Sequence, residues 1–127
     1  MYEVQKKPYI TVLNIEKNEA LYEGVVHSLE ECGIPFQCRI SEVQSDREEE
    51  NSIFDIFEAP LGMVIIIRNC ELQVYYSGYD RKQPVLHCTF LKEMEEDSIY
   101  RRARRIGCNA ANLIYGKEMK ELEWNSN

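Results

Sequence analysis

Two periods of apolar residues alternate along this chain. Pro8 opens PYITVLNI, a β-branched run that predicts a strand. Asn18 is then placed to cap a helix from Glu19 to about Cys32. Its Leu21, Val25, Leu29 and Cys32 recur at four, four and three residues and form one inward stripe. Gly33 stops that helix by accepting a left-handed backbone. PFQCRISEV reads as a second strand. The capping box Ser45-Asp46-Arg47-Glu48 launches a second helix through Phe57, with Ile53, Phe54 and Phe57 on its core side. GMVIIIR (62–68) is nearly all apolar, as a central strand covered on both faces requires. Only Asn69-Cys70-Glu71 separates it from LQVYYSG, so short a link that the fourth strand must turn back antiparallel. PVLHCTF (84–90) is a fifth strand. A last helix starts at Glu96 or Asp97, turns Ile99, Ala103, Ile106, Ala110 and Leu113 inward, and closes at Gly116 after Tyr115.

This order predicts an α/β fold: a three-layer α/β/α sandwich whose five-stranded mixed sheet has strand 4 antiparallel. With 127 residues the chain fits one domain, placed at residues 1–117, and can bury roughly two-thirds of its unfolded surface without a staple. Residues 118–127 form a polar tail; its Trp124 is expected to pack loosely against the domain.

Charge narrows the partners. The formal net charge is −7, which disfavours nucleic acid. Its distribution is uneven: DREEE (46–50) and EMEED (93–97) are acidic, whereas RRARR (101–105) is a compact basic cluster. The acidic start of the second helix suits the helix dipole and needs no other role. The five cysteines, Cys32, Cys38, Cys70, Cys88 and Cys108, contain no C-x-x-C pair, and with two histidines a zinc site is not expected. Buried, reduced thiols are the expectation. The first residues lack a signal-peptide pattern and no run reaches the ~20 apolar residues of a membrane span, so a cytoplasmic protein without membrane contact is expected.

Catalytic machinery is not recognisable. The turn after the first strand, NIEKNEA, has no glycine for a phosphate loop and no cysteine for redox or carrier chemistry. No G-x-S-x-G or H-E-x-x-H occurs, and Thr11, Ser28, His27 and His87 are scattered. His27 lies four residues before Glu31 and shares its helix face, a spacing that usually gives only a weak hydrogen bond. No catalytic residue is assigned; a binding module, not an enzyme, is expected.

Two charged features stand out. The first helix ends in Glu30 and Glu31, where the dipole favours cations. In RRARR, Arg101, Arg102, Arg104 and Arg105 surround an inward Ala103, and Asp97 is four residues before Arg101 in the favourable order for an ion pair. The cluster reads either as a solvated face with local pairing or as a docking surface for an acidic partner or phosphate.

LEECGIP (29–35) and RRIGCNAANLIYG (104–116) resemble segments of the small (beta) subunit of diol/glycerol dehydratase-reactivating factors, a family related to the medium subunit of the cobalamin-dependent dehydratases. Leu29, Glu30, Glu31, Gly33, Ile34 and Pro35 match the first segment; Ile106, Gly107, Asn109, Ala110 and Ala111 match the second. The order of elements agrees over roughly residues 8–117. The resemblance implies an anticodon-binding-domain-like sheet with strand 4 antiparallel. It implies a non-enzymatic, chaperone-like subunit paired with a large ATPase subunit, acting on the dehydratase large subunit. Exchange with the medium subunit would release damaged cobalamin. It places Glu31 as a ligand to a divalent metal, Mg²⁺ or Ca²⁺, in the large subunit, the chain having no cofactor of its own. Partner contact is assigned to Glu31, Arg101 and Arg105. Gly107 is read as close helix–sheet packing and Asn109 as a bond to a nearby loop. Association with a bacterial microcompartment and self-association of the isolated chain are compatible with this reading.

The sequence departs from the family in the loop Glu16-Lys17-Asn18, which lacks a glycine, and in the strength of its basic cluster. The alternative is a medium-subunit-like component of the dehydratase, contributing to cobalamin binding. Medium subunits are longer, whereas seven residues precede Pro8 here.

Overall fold

A computed structural model of the chain describes residues 9–15, 18–40, 61–68, 70–77, 83–91 and 93–116. The elements are β1 (Ile10–Asn14), α1 (Glu19–Glu31), β2 (Phe36–Ile40), β3 (Met63–Arg68), β4 (Glu71–Tyr76), β5 (Leu86–Thr89) and α2 (Glu96–Tyr115). The helix expected from Ser45 to Phe57 and the tail with Trp124 lie outside the described residues, as does the loop Glu16-Lys17.

The strands form one sheet in the order β2-β1-β3-β4-β5. β1 is parallel to β2 and to β3, while β4 is antiparallel to both β3 and β5. Strand 4 alone is reversed, as the short link at Asn69-Cys70 requires: Arg68 faces Glu71 in the register, leaving two residues to turn the chain. Since β5 reverses once more, it points the same way as β1. Each is followed by a helix returning over the same face, so α1 and α2 run in the same direction, side by side.

The main core lies between these helices and the sheet. Ile10 and Val12 of β1, Met63, Ile65 and Ile67 of β3 and Leu72 and Val74 of β4 meet Leu21, Val25 and Leu29 of α1 and Ile99, Ala103, Ile106 and Ala110 of α2. Leu13, Val64 and Ile66 form a second buried cluster on the opposite face. The continuous apolar run of β3 is thus buried on both sides.

The end of α1 explains most of LEECGIP. Gly33 takes φ +71°, its N–H donates to Glu30 O (3.1 Å), and the N–H of Ile34 reaches back to Leu29 O (3.1 Å). These two bonds define a Schellman motif, and its customary apolar contact is supplied by Leu29 and Ile34, both in the core. Pro35 then leaves the helix, its carbonyl accepting from Ile10 N (2.9 Å). The side chains of Glu30 and Glu31 take no part in these bonds. At the other end, Asn18 Oδ1 accepts from Leu21 N (3.2 Å), the expected cap.

The cysteines depart from expectation. All five are free thiols, but only Cys88 is buried; Cys32, Cys70 and Cys108 are half-buried and Cys38 is exposed. Burial pushes the Cys88 thiol up, partly opposed by nearby Arg102. Apolar sequence neighbours did not predict full burial here because Cys38 lies on β2, a sheet edge, Cys108 lines the cleft between the helices, and Cys32, although packed against the core, sits at the open end of α1.

Candidate functional site: the margin between the two helices

Two rows of residues on each helix build the contact. On α1, Gly24 and Ser28 stand one turn apart; on α2, Ala103 and Gly107 do the same. All four are buried. A Cβ on Gly24 would sit 2.6 Å from Ala103 Cβ and 2.6 Å from the Tyr100 carbonyl, so the backbones are closer than any side chain permits. A Cβ on Gly107 would overlap the Ser28 hydroxyl and lie 3.2 Å from Val25 O. Gly107 therefore marks helix–helix packing, not the helix–sheet packing expected from its position in α2. Ser28 satisfies its buried hydroxyl by donating to Val25 O (2.6 Å). Asn109 is buried in the same helix.

The adjoining rows are polar and lie along the outer margin. His27 and Glu31 share a face of α1, as their spacing predicts, but each is joined to α2 instead of to the other. His27 Nδ1 lies 2.8 Å from the Tyr100 hydroxyl, the rings edge to face with centroids 5.7 Å apart. Arg104 donates to both carboxylate oxygens of Glu31. Its guanidinium lies 5.8 Å from the Tyr100 ring centroid, within cation–π range. The Glu31 bond, then the Glu31 charge, push the Arg104 pKa further up. Beyond this, the Tyr115 hydroxyl donates to Cys32 O (3.1 Å), capping a carbonyl at the end of α1.

These contacts answer the puzzle of an acidic helix end. The last turn of α1 contains no basic residue of its own. Because the helices run side by side in the same direction, the middle of α2 lies against the end of α1 and supplies Arg104 across the interface. The cation that the dipole favours is present, contributed by another element.

Around the pair lies a cleft of about 280 Å³, lined by Ser28, Glu31 and Cys32 of α1 and Arg101, Arg104, Arg105 and Cys108 of α2. The structure thus brings together Glu31, Arg101 and Arg105, the three residues assigned to partner contact. Arg101 also takes its expected i,i+4 partner, Nε donating to Asp97 Oδ2 (2.9 Å). Arg104 was not singled out from sequence: its neighbours in RRARR look the same, and nothing local says which arginine crosses to the other helix. Elsewhere, His87 Nε2 lies 2.6 Å from Glu71 Oε1 on the β4–β5 pair, and neither residue lines the cleft. Among the described residues no group of three or more His, Cys, Asp or Glu is arranged to hold a metal ion. Nor is any described helix long and apolar enough to cross a membrane.

Neither a family model nor a curated protein matches this sequence. Solved structures do. A chain of diol dehydratase-reactivating factor complexed with ADP and Mg²⁺ superposes with a TM-score of 0.69 at 22% identity, over 91% of this chain and 100% of that one. A chain of glycerol dehydratase reactivase gives the same TM-score, 0.69, at 16% identity, over 91% of this chain and 99% of that one. The chain has the fold of these proteins. The match takes in nine-tenths of this chain and nearly the whole of each matched chain.

Proposed function

We propose that this chain is the small, non-enzymatic subunit of a reactivating factor for a cobalamin-dependent diol or glycerol dehydratase. It would pair with a large ATPase subunit, dock on the dehydratase large subunit in place of the medium subunit, and so let damaged cobalamin leave. The setting would be the cytoplasm or a bacterial microcompartment. The observation that carries this reading is the fold likeness, over 91% of the chain, to chains of two reactivating factors. The sequence motifs at the ends of α1 and α2 support it, although the Schellman geometry accounts for most of the first.

Glu31 is the residue assigned to the partner. Its side chain is 60% exposed and stands at the rim of the cleft, where a second subunit can reach it. A single carboxylate gives one or two oxygens, whereas Mg²⁺ takes six ligands, so the others would come from the large subunit and water. Arg101 and Arg105, on the same rim, would face acidic groups of that partner.

Co-purification with a reactivase large subunit, with Mg²⁺ or with chelator, tests the reading. A stable complex is expected, weakened at least tenfold by chelator and to a similar degree by Glu31→Ala. A complex indifferent to both removes Glu31 from the metal while keeping the subunit assignment. No complex under any condition overturns the assignment. Cobalamin binding by the isolated chain would favour a dehydratase component instead.

A further inference from the structure

We propose that the cleft between α1 and α2 is a carboxylate-binding socket that the chain plugs with its own Glu31, and that it opens to an acidic side chain of the protein partner once Glu31 is drawn away. The partner named here rests on the function proposed above; the socket itself does not.

Three arginines, Arg101, Arg104 and Arg105, line the cleft together with the Glu31 carboxylate, and of these Arg101 is also bonded to Asp97. This concentration is local, since the whole chain carries a net charge of −7. The occupant already present shows which chemistry the cleft accepts: both oxygens of Glu31 take hydrogen bonds from Arg104. Tyr100 fixes the guanidinium from its face, and His27 in turn holds the Tyr100 hydroxyl, so Arg104 is positioned before any ligand arrives. The volume, about 280 Å³, falls just below the range of ligand pockets and suits one acidic side chain rather than a nucleotide. The acidity of the rest of the chain disfavours a polyanion such as nucleic acid.

The plug is removable. Glu31 and Arg104 are 60% and 40% exposed, and ion pairs open to solvent are held weakly. A carboxylate cannot give the same lone pairs to Arg104 and to a metal ion. Moving Glu31 onto a metal held by the partner would take from Arg104 the carboxylate it now holds and leave that guanidinium to a carboxylate from the same partner, while Arg101 keeps Asp97. Docking would then exchange one internal ion pair for two contacts across the interface.

Succinate serves as the probe with the isolated chain, at constant ionic strength, followed by chemical-shift titration of the arginine side chains. Glu31→Gln is expected to bind succinate at least tenfold more tightly than the unmodified chain, with the shifts at Arg104 and Arg105. The double variant Glu31→Gln/Arg104→Met should lose that gain. No tightening in Glu31→Gln, or tightening that survives Arg104→Met, overturns the socket. With the large subunit and saturating Mg²⁺, excess succinate should weaken the complex at least threefold relative to matched sodium chloride; no difference overturns the partner carboxylate. Absence of any complex would count against the proposed function, and the isolated-chain titration would still decide the socket.

Discussion

The contact between α1 and α2 joins two regions that differ in what holds them. One is the inner row, Gly24 and Ser28 against Ala103 and Gly107, buried and without charge. The other is the outer row, His27 and Glu31 against Tyr100 and Arg104, made of polar groups that water can reach. The inner row depends on shape, and any added atom must push the helices apart. The outer row depends on charge and hydrogen bonds, for which water or another ligand can substitute. Stability is therefore expected to reside in the first row and exchangeable binding in the second.

The largest expected effect is at Gly24. Gly24→Val puts a branched side chain against the Tyr100 carbonyl and Ala103, neither of which can move without the helix. Overpacking of this kind costs about 3 kcal/mol, which lowers Tm by roughly 10 °C in a domain of this size. Calorimetry showing a shift of a degree or two would mean that the helices are not closely packed there.

Next is Gly107. Gly107→Ala should cost about 1–2 kcal/mol despite the better helix propensity of alanine. Its main obstacle is the Ser28 hydroxyl, a side chain, so Ser28→Ala should recover part of the loss. The double variant is expected to show a coupling of about 1 kcal/mol in urea unfolding; strict additivity would contradict the contact.

On the outer row the effect on stability should be small and that on binding large. Glu31→Gln should leave Tm within about 2 °C, as surface ion pairs do, while weakening metal-dependent complex formation. A large loss of Tm would make Glu31–Arg104 a structural pair and remove the contrast between the rows.

The smallest effect concerns a solvent-facing contact away from the margin. The Tyr22 hydroxyl donates to Cys38 Sγ (3.2 Å), joining α1 to the edge strand β2. That bond first, then burial and the charges of Cys38 and Glu30, push the Tyr22 pKa up to about 12 from 10.0. A proton held more tightly in the folded state stabilises it fully below pH 10; the contribution is lost as pH rises toward 12. Cys38→Ala should return the Tyr22 absorbance titration toward pH 10 with little change in Tm at neutral pH. An unmoved titration would remove Cys38 as the cause.

Much of the architecture was written locally. The apolar runs marked all five strands and both described helices, Asn18 and Gly33 bounded α1, and Gly116 closed α2 with φ +68°. The two-residue turn before Glu71 dictated the reversal of β4. Such features were legible because they depend on residues a few positions apart, through backbone sterics, hydrogen bonds to the next turn and the period of the apolar face.

The spatial arrangement was not legible in the same way. Nothing local orders the strands β2-β1-β3-β4-β5, sets α1 against α2, or tells Arg104 from the other arginines. The acidic end of α1 looked unfavourable because the counter-charge of Glu31 lies 73 residues away along the chain. Gly24 likewise drew no notice, since its reason is the backbone of another helix. The sequence by itself determined which segments become strands and helices and where each stops. The packing of two parallel helices on one sheet face decided which of their charges meet, because electrostatic pairing and close approach depend on distance in space and not on separation along the chain.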